Sequence, residues 1–215
     1  MRSADEIIGA LGRVVDDGKV RSDTESLQTF GKDSTKIYDV APTAIVFPKT
    51  TEQVQAIVKL ANEMSFSLVP SGGRTGLSGG AVASNGEVVV SFDYMNSIHS
   101  FSASDRTVRC QAGVVTQQLQ TFADENGLFY QVDFASAGTS QLGGHLSTND
   151  GGIKVIKYGM SRDWVIGLTV VTGSGEVLEL YQDLLYNNTG YGLRHLFIGD
   201  AGNLGFISEA TMQIT

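Results

Sequence analysis

Residues 44–80 constrain the fold of this chain more than any other stretch. Ala44-Ile45-Val46-Phe47 is a short apolar run ended by Pro48, and Phe66-Ser67-Leu68-Val69 is a second. Between them Val54, Ile57, Val58, Ala61 and Met64 recur at the helical period, and Thr50 with Gln53 has the spacing of a capping box. The pattern predicts strand, helix, strand. A helix-length connection joins parallel strands through a right-handed crossover. The second strand then runs straight into Pro70-Ser71-Gly72-Gly73-Arg74-Thr75-Gly76-Leu77-Ser78-Gly79-Gly80.

That loop carries five glycines among residues 72–80. Its backbone amides have little side-chain cover, so they can converge on the oxygens of an anion, with Thr75 and Ser78 as further donors. Two known phosphate loops do not fit. The Gly-Lys-Ser/Thr ending of a P-loop is absent, and the Gly-x-Gly-x-x-Gly spacing that opens a helix fails, because Ala81-Val82-Ala83-Ser84-Asn85-Gly86 leads to a strand. Composition and spacing leave two readings, a flexible surface loop or an anion-binding one, and neither names a ligand.

The rest of the chain reads as strands with helices between them. Val88 to Phe92 and the alternating 107–112 are strands. A helix is expected from Thr116, with Leu119, Phe122 and Ala123 inward and a stop at Asn126-Gly127. A second glycine-rich stretch covers 138–152. Residues 165–181 read as a hairpin turning at Gly173-Ser174-Gly175, followed by a short helix near 192–198 and a last strand near 205–214. Residues 5–40 form a polar lead-in whose Ile7, Ile8 and Leu11 have helical spacing and which carries no chemical motif. A parallel crossover followed by mainly antiparallel strands argues for two α+β lobes rather than one doubly wound sheet.

With 15 basic and 23 acidic residues the net charge is −8, which speaks against nucleic acid as a partner. The 26 glycines stand against 3 prolines without a fixed period, so they have positional uses. Cys110 is the one cysteine and alternates in phase with Val108 and Ala112, as a buried structural thiol does. No signal-peptide core and no run of roughly 20 apolar residues is present, so no transmembrane segment is expected. A cytoplasmic, reducing compartment is the expectation, with any membrane association peripheral and through an electron-acceptor partner. His99 is expected in a solvated polar turn, His195 on a short surface helix, and His145 without the partners that a metal site needs. Asp16-Asp17 reads as a solvated pair.

Pro70 to Gly80 resembles the pyrophosphate loop of the vanillyl-alcohol-oxidase, or PCMH-type, flavin-binding fold. It is most similar to the FAD-linked oxidase branch of D-lactate dehydrogenases, glycolate oxidase flavin subunits and D-2-hydroxyglutarate dehydrogenases. The resemblance runs in series: Pro42 to Val54 matches the opening strand and helix, Gly143-Gly144-His145-Leu146-Ser147-Thr148-Asn149-Asp150-Gly151-Gly152 with Lys157-Tyr158-Gly159 a second stretch. Asn188-Thr189-Gly190-Tyr191 with Leu196-Phe197-Ile198-Gly199 matches a third, and Leu204-Gly205-Phe206-Ile207-Ser208 a fourth. The implied fold is α+β and two-lobed, with a small parallel βαβ lobe at about 41–95 and a larger, mainly antiparallel lobe at 96–215. The lead-in of residues 1–40 precedes this FAD-binding domain of 41–215.

The resemblance also implies a site. Pro70, Ser71, Gly72, Gly73, Arg74, Thr75, Gly76, Leu77, Ser78, Gly79 and Gly80 are expected to grip the pyrophosphate of FAD. Gly138, Thr139, Ser140, Gly143 and Gly144 are expected beside the flavin, Thr148, Asn149, Gly151 and Gly152 near its ring or ribityl chain, and Ile207 towards the adenine end. Residues 70–80 hold no His or Cys for a covalent link, so FAD is expected to be non-covalent. The chain departs from the family at His145, usually Asn, at Asp150, usually a small residue, and at Asp200-Ala201-Gly202-Asn203, usually Ser-Glu-Gly-Thr. In the family a C-terminal domain supplies the substrate-binding arginines and a histidine-rich motif. The chain is therefore expected to be the cofactor half, with neither catalytic nor metal-binding residues of its own, of an enzyme oxidising a D-2-hydroxyacid to the 2-oxoacid. Electrons would pass to a quinone or an electron-transfer protein. A stand-alone FAD module serving a partner subunit, and another nucleotide binder using the same loop, are the competing expectations.

Overall fold

The computed structural model describes residues 2–181 and 189–215. Helix α1 (Ala4–Leu11) is followed by β1 (Val20–Arg21), α2 (Thr24–Phe30), β2 (Ala44–Val46), α3 (Thr51–Met64), β3 (Leu68–Ser71) and β4 (Val88–Ser91). The four strands form one sheet in the order β1–β2–β4–β3, with β2, β4 and β3 parallel and β1 antiparallel to β2. The strand–helix–strand unit is present, yet β4 lies between its two strands. β4 is buried along its whole length, and the most continuously apolar strand takes the centre of a sheet covered on both faces. At the start of α3 the Thr50 hydroxyl accepts a bond from Gln53 N–H (3.3 Å), while Gln53 Oε1 accepts from Lys49 N–H (2.7 Å), one residue before the cap.

The polar lead-in is structural. β1 adds a strand to the sheet, Ile7, Leu11 and Val15 join the core made by Val54, Ile57 and Val58, and Leu27 and Phe30 pack on Ile45 and Phe47. A strand of two residues is too short to show alternation, so its sequence reads as loop. Asp16 is likewise not merely solvated: it pairs with Lys49 at 2.6 Å.

The second sheet is built from β5 (Ile98–Ser102), β6 (Thr107–Gln111), then, after α4 (Thr116–Glu125), α5 (Leu142–Thr148) and α6 (Val155–Tyr158), from β7 (Val165–Thr172) and β8 (Val177–Leu180) and, after α7 (Arg194–Phe197), from β9 (Gly205–Gln213). Its order is β5–β6–β9–β7–β8, antiparallel throughout. His99 lies in β5 with Nε2 3.5 Å from a Glu209 carboxylate oxygen, not in a free turn. Cys110 is fully buried in β6, and burial pushes its thiol up to about 12, which keeps it protonated and inert.

Helix α3 joins the two sheets. Val171 and Phe206 of the second sheet share its core with Val54 and Val58, and Thr51 Oγ1 donates to Ser208 Oγ (3.0 Å), Gln55 to the Gly175 carbonyl (2.8 Å) and Asn62 to the Gly173 carbonyl (2.9 Å). The result is the α+β, two-sheet architecture expected from the order of elements. Among the described residues no helix is long and apolar enough to cross a membrane.

Candidate functional site

Parallel strands β3 and β4 end side by side, with Ser71 in register with Ser91 and Phe92 N–H donating to the Ser71 carbonyl (3.0 Å). A cavity of about 400 Å³ opens beyond these carboxyl ends. That is where open parallel sheets generally place their ligands. The glycine loop forms one wall, the start of α5 a second, and the approach to β9, Ala201 to Ile207, a third.

The loop offers donors. Backbone N–H groups of Gly73 to Ser78 donate to no acceptor among the described residues. Six consecutive amides without a partner among the described residues suit an anion. Arg74 holds the left-handed conformation (φ 59°) and turns its side chain back: its guanidinium donates to the Gly72 carbonyl (2.7 Å) and to both carboxylate oxygens of Asp93 (3.3 and 3.2 Å), and lies 4.7 Å from the Phe30 ring centre. Arg74 therefore braces the loop, and its charge is already matched by Asp93. Gln141, the N-cap residue of α5, donates to the same Asp93 at 2.7 Å, which ties the second wall to the first.

Close backbone approach makes the same connection. A Cβ on Gly73 would collide with the Thr139 carbonyl oxygen and lie 2.8 Å from Ser140 Cα. Thr116 holds the other side of that segment, its N–H donating to the Ser140 carbonyl (2.9 Å) and its hydroxyl bonded to Ser140 Oγ (2.8 Å).

Of the residues expected from the resemblance, Pro70 to Ser78, Gly80, Ser140, Gly143, Gly144, Thr148 and Ile207 line the cavity. Gly79, Gly138, Thr139, Asn149, Gly151 and Gly152 do not, and most of these have local work. Asn149 ends α5 at φ 55° and accepts a bond from Arg162 N–H (3.0 Å); Gly152, at φ 66°, lies against the Asp133 carbonyl; Gly151 abuts Val155. The glycine-rich stretch 138–152 holds a helix: Leu142, His145 and Leu146 bury one face of α5, which packs against β9. Asn188, in the third matching stretch, falls outside the described residues, while Asp200 closes the turn before β9 by accepting from Gly202 N–H (2.9 Å) and Leu204 N–H (2.8 Å).

The cavity also has walls that sequence reasoning did not mark, Asp33, Phe92, Ala112 and Gln141, beside Phe206 of the fourth matching stretch and His145 and Asp150, two of the positions at which the chain departs from the family. His145 is 2 % exposed, between Tyr130 and Phe134, and its burial pushes the imidazole down to about 3, so it is neutral. Desolvation raises the Asp150 carboxyl, against a lowering pull from the Thr148 hydroxyl.

Three buried polar atoms of cavity-lining residues have no partner among the described residues: Ser71 Oγ, Gln141 Oε1 and His145 Nδ1. Buried polar groups are ordinarily paired, so their grouping here marks a place that a polar ligand completes. With the free amides, the small residues Gly80 and Gly144, where a Cβ would touch nothing, and the apolar Phe92, Ala112 and Phe206, the lining suits a long ligand with an anionic middle and a flat ring.

Known proteins are similar to this chain in sequence and in fold. A family model described as FAD binding domain matches residues 42–181. The D-2-hydroxyglutarate dehydrogenase of Stutzerimonas stutzeri (strain A1501) is 62 % identical over 208 residues, 97 % of this chain and 45 % of its own length. A D-lactate dehydrogenase of Anaerostipes hadrus is 39 % identical over 188 residues, 87 % of this chain and 39 % of its own. The chain thus spans less than half the length of these relatives. Among solved structures, alkyldihydroxyacetonephosphate synthase superposes with a TM-score of 0.88 at 24 % identity, over 100 % of this chain and 41 % of that one, a likeness of fold.

Proposed function

Because the chain belongs to the FAD binding domain family, we propose that it is the cofactor-holding portion of an oxidoreductase that converts a D-2-hydroxyacid to the 2-oxoacid. The acid is of the 2-hydroxyglutarate or lactate kind, with glycolate the smaller variant. The observation that carries the reading is the row of free amides from Gly73 to Ser78 at the mouth of a cavity whose lining also holds three unpaired buried polar atoms. FAD carries both the anion those amides lack and the ring that the small and apolar residues leave room for.

When bound, the flavin supplies the hydride acceptor; the chain binds, orients and shields it. Gly73 to Ser78 hold the pyrophosphate, Ser71, Gln141 and His145 offer the polar contacts that their buried atoms lack, and Phe92 and Phe206 keep water from an apolar stretch of wall. Attachment is non-covalent: residues 70–80 contain no histidine or cysteine for a covalent link. Substrate groups and the route of electrons to a quinone or an electron-transfer protein belong to the rest of a longer enzyme. A cytoplasmic location fits the lone, buried thiol.

The visible spectrum of the purified chain before and after adding FAD tests this. Bound-flavin bands are expected, released into the supernatant when the chain is unfolded. Gly76→Asp, which sets a carboxylate among the amides, is expected to weaken binding by about a hundredfold or more. A colourless chain that ignores FAD refutes the reading. The chain alone is expected to show little or no turnover of D-2-hydroxyacids; robust oxidation by these 215 residues would place the chemistry here instead.

A further inference from the structure

Part of what holds the glycine loop comes from outside the family match at 42–181. Residues 31–38 run alongside the loop and fasten it repeatedly. Ser34 N–H donates to the Gly76 carbonyl (3.0 Å), Ser34 Oγ to the Arg74 carbonyl (3.2 Å), and Ala83 N–H to the Gly31 carbonyl (2.9 Å). Tyr38 lies against Gly79, where a Cβ would come within 2.7 Å of its ring. Asp33 is the centre of this strap. It is 8 % exposed and lines the cavity, one carboxylate oxygen accepts from Gly79 N–H (2.9 Å), and the other accepts from Thr35 N–H (2.8 Å) and Thr35 Oγ1 (2.6 Å).

We propose that Asp33 is a positioning residue of the cofactor site: an internal anion that occupies the Gly79 amide and thereby holds the six before it in place for the pyrophosphate. The inference rests on the reading of the cavity as an FAD site. Glycine loses more conformational freedom on ordering than any other residue, so a loop this rich in it is costly to freeze at the moment of binding. Fastening at Arg74, Gly76 and Gly79 moves that cost into folding. A carboxylate suits the task because bonds to an ionised acceptor are roughly twice as strong as neutral ones. Its charge beside a second anion is unfavourable, and the three donors that surround it offset this. The strap also explains why Gly79 leaves the cavity wall while Gly80 stays on it.

Titration of the ligand-free chain with FAD and, separately, with ADP tests the proposal. ADP carries the diphosphate and adenine without the flavin. Asp33→Ala is expected to weaken both ligands by about tenfold or more, Asp33→Asn, which keeps one acceptor oxygen, by about threefold, and Thr35→Val, which removes one donor to the carboxylate, by a similar small factor. The urea midpoint of each ligand-free variant is measured alongside, and binding is calculated per folded molecule. Loss of FAD and ADP affinity in the folded fraction, graded Ala over Asn, supports positioning. A loss that disappears once the folded fraction is counted, or Asp33→Ala binding both ligands like the native chain, overturns it while leaving the FAD reading intact. Failure of the native chain itself to bind FAD overturns both.

Discussion

Gly73→Ala is expected to leave the chain without bound flavin at FAD concentrations that saturate the native protein. The added methyl group meets backbone on the opposite wall, the Thr139 carbonyl oxygen and Ser140 Cα at 2.8 Å, where carbon atoms need about 3.5 Å or more. Neither side can give. Thr139 and Ser140 both donate from N–H to the Ser136 carbonyl (2.9 and 2.8 Å), and Thr116 holds Ser140 from behind. The glycine loop is held in turn by Arg74 on Asp93 and by Ser34 on Gly76. The walls must part by the better part of an ångström, and bonds from Gly73, Arg74 and Thr75 to a pyrophosphate lengthen together. Losing two bonds to an ionised acceptor costs about 3–6 kcal/mol, a hundredfold or more in affinity. Overpacking adds about 1–3 kcal/mol of lost stability. Gly80→Ala is the matched comparison: a Cβ there touches nothing, and the unfolding midpoint is expected to stay where it is. Absorbance titration with FAD and urea unfolding of both variants decide it. A Gly73→Ala chain that binds FAD like the native one would mean that the close approach of the loop to Thr139 and Ser140 does not shape the site.

Gly73 also shows how far such a site can be read from a sequence. Glycine enrichment marks positions where a side chain is excluded but not what excludes it. At Gly73, Gly143, Gly151 and Gly152 the excluding atoms are the chain's own: Thr139, Ala112, Val155 and Asp133. At Gly80 and Gly144 the space is open. All six read alike in the sequence, so spacing does not tell that Gly143, which lines the cavity, also lets α5 approach Ala112. Regular elements with a full period were legible, as α3 with its Thr50 cap and α4 with its stop at Asn126 show. β1 was not, and neither was α5, whose two glycines hide the helical spacing of Leu142, His145 and Leu146. Asp33 was invisible for a different reason: its partner Gly79 lies 46 residues away in a segment with which it shares no repeat or spacing. The serial motifs therefore located the loop, while the strap and the hub at Asp93 needed three dimensions.

His145 makes the chain acid-sensitive, and the sign follows from its burial. The imidazole titrates near 6.5 when unfolded, and burial pushes it down to about 3 in the fold. The unfolded chain then binds a proton that the folded chain refuses, so stability from this group is complete above pH 6.5, falls as the pH drops below it, and stops falling only near 3. Between pH 7 and pH 5 the loss is about 2 kcal/mol from this one residue. Carboxylates held low by their partners, Asp16 and Asp23 among them, act only at lower pH and leave that window clear. His195 is also held below its ordinary value, chiefly by desolvation, and contributes in the same direction, so the comparison must be differential. Urea unfolding of the ligand-free chain at pH 7 and pH 5 is expected to show that His145→Gln and His145→Phe lose about 2 kcal/mol less than the native protein over the interval. Equal losses would mean that the imidazole accepts its proton within the fold. The same neutrality bears on function. A histidine that charged readily beside the cavity would draw an anionic ligand harder at low pH, whereas a buried neutral one keeps its Nδ1 as a hydrogen-bonding group of constant charge. His145 is then expected to add no pH dependence of its own to cofactor affinity between pH 7 and pH 5, so acid acts through this residue by weakening the fold rather than by loosening the grip.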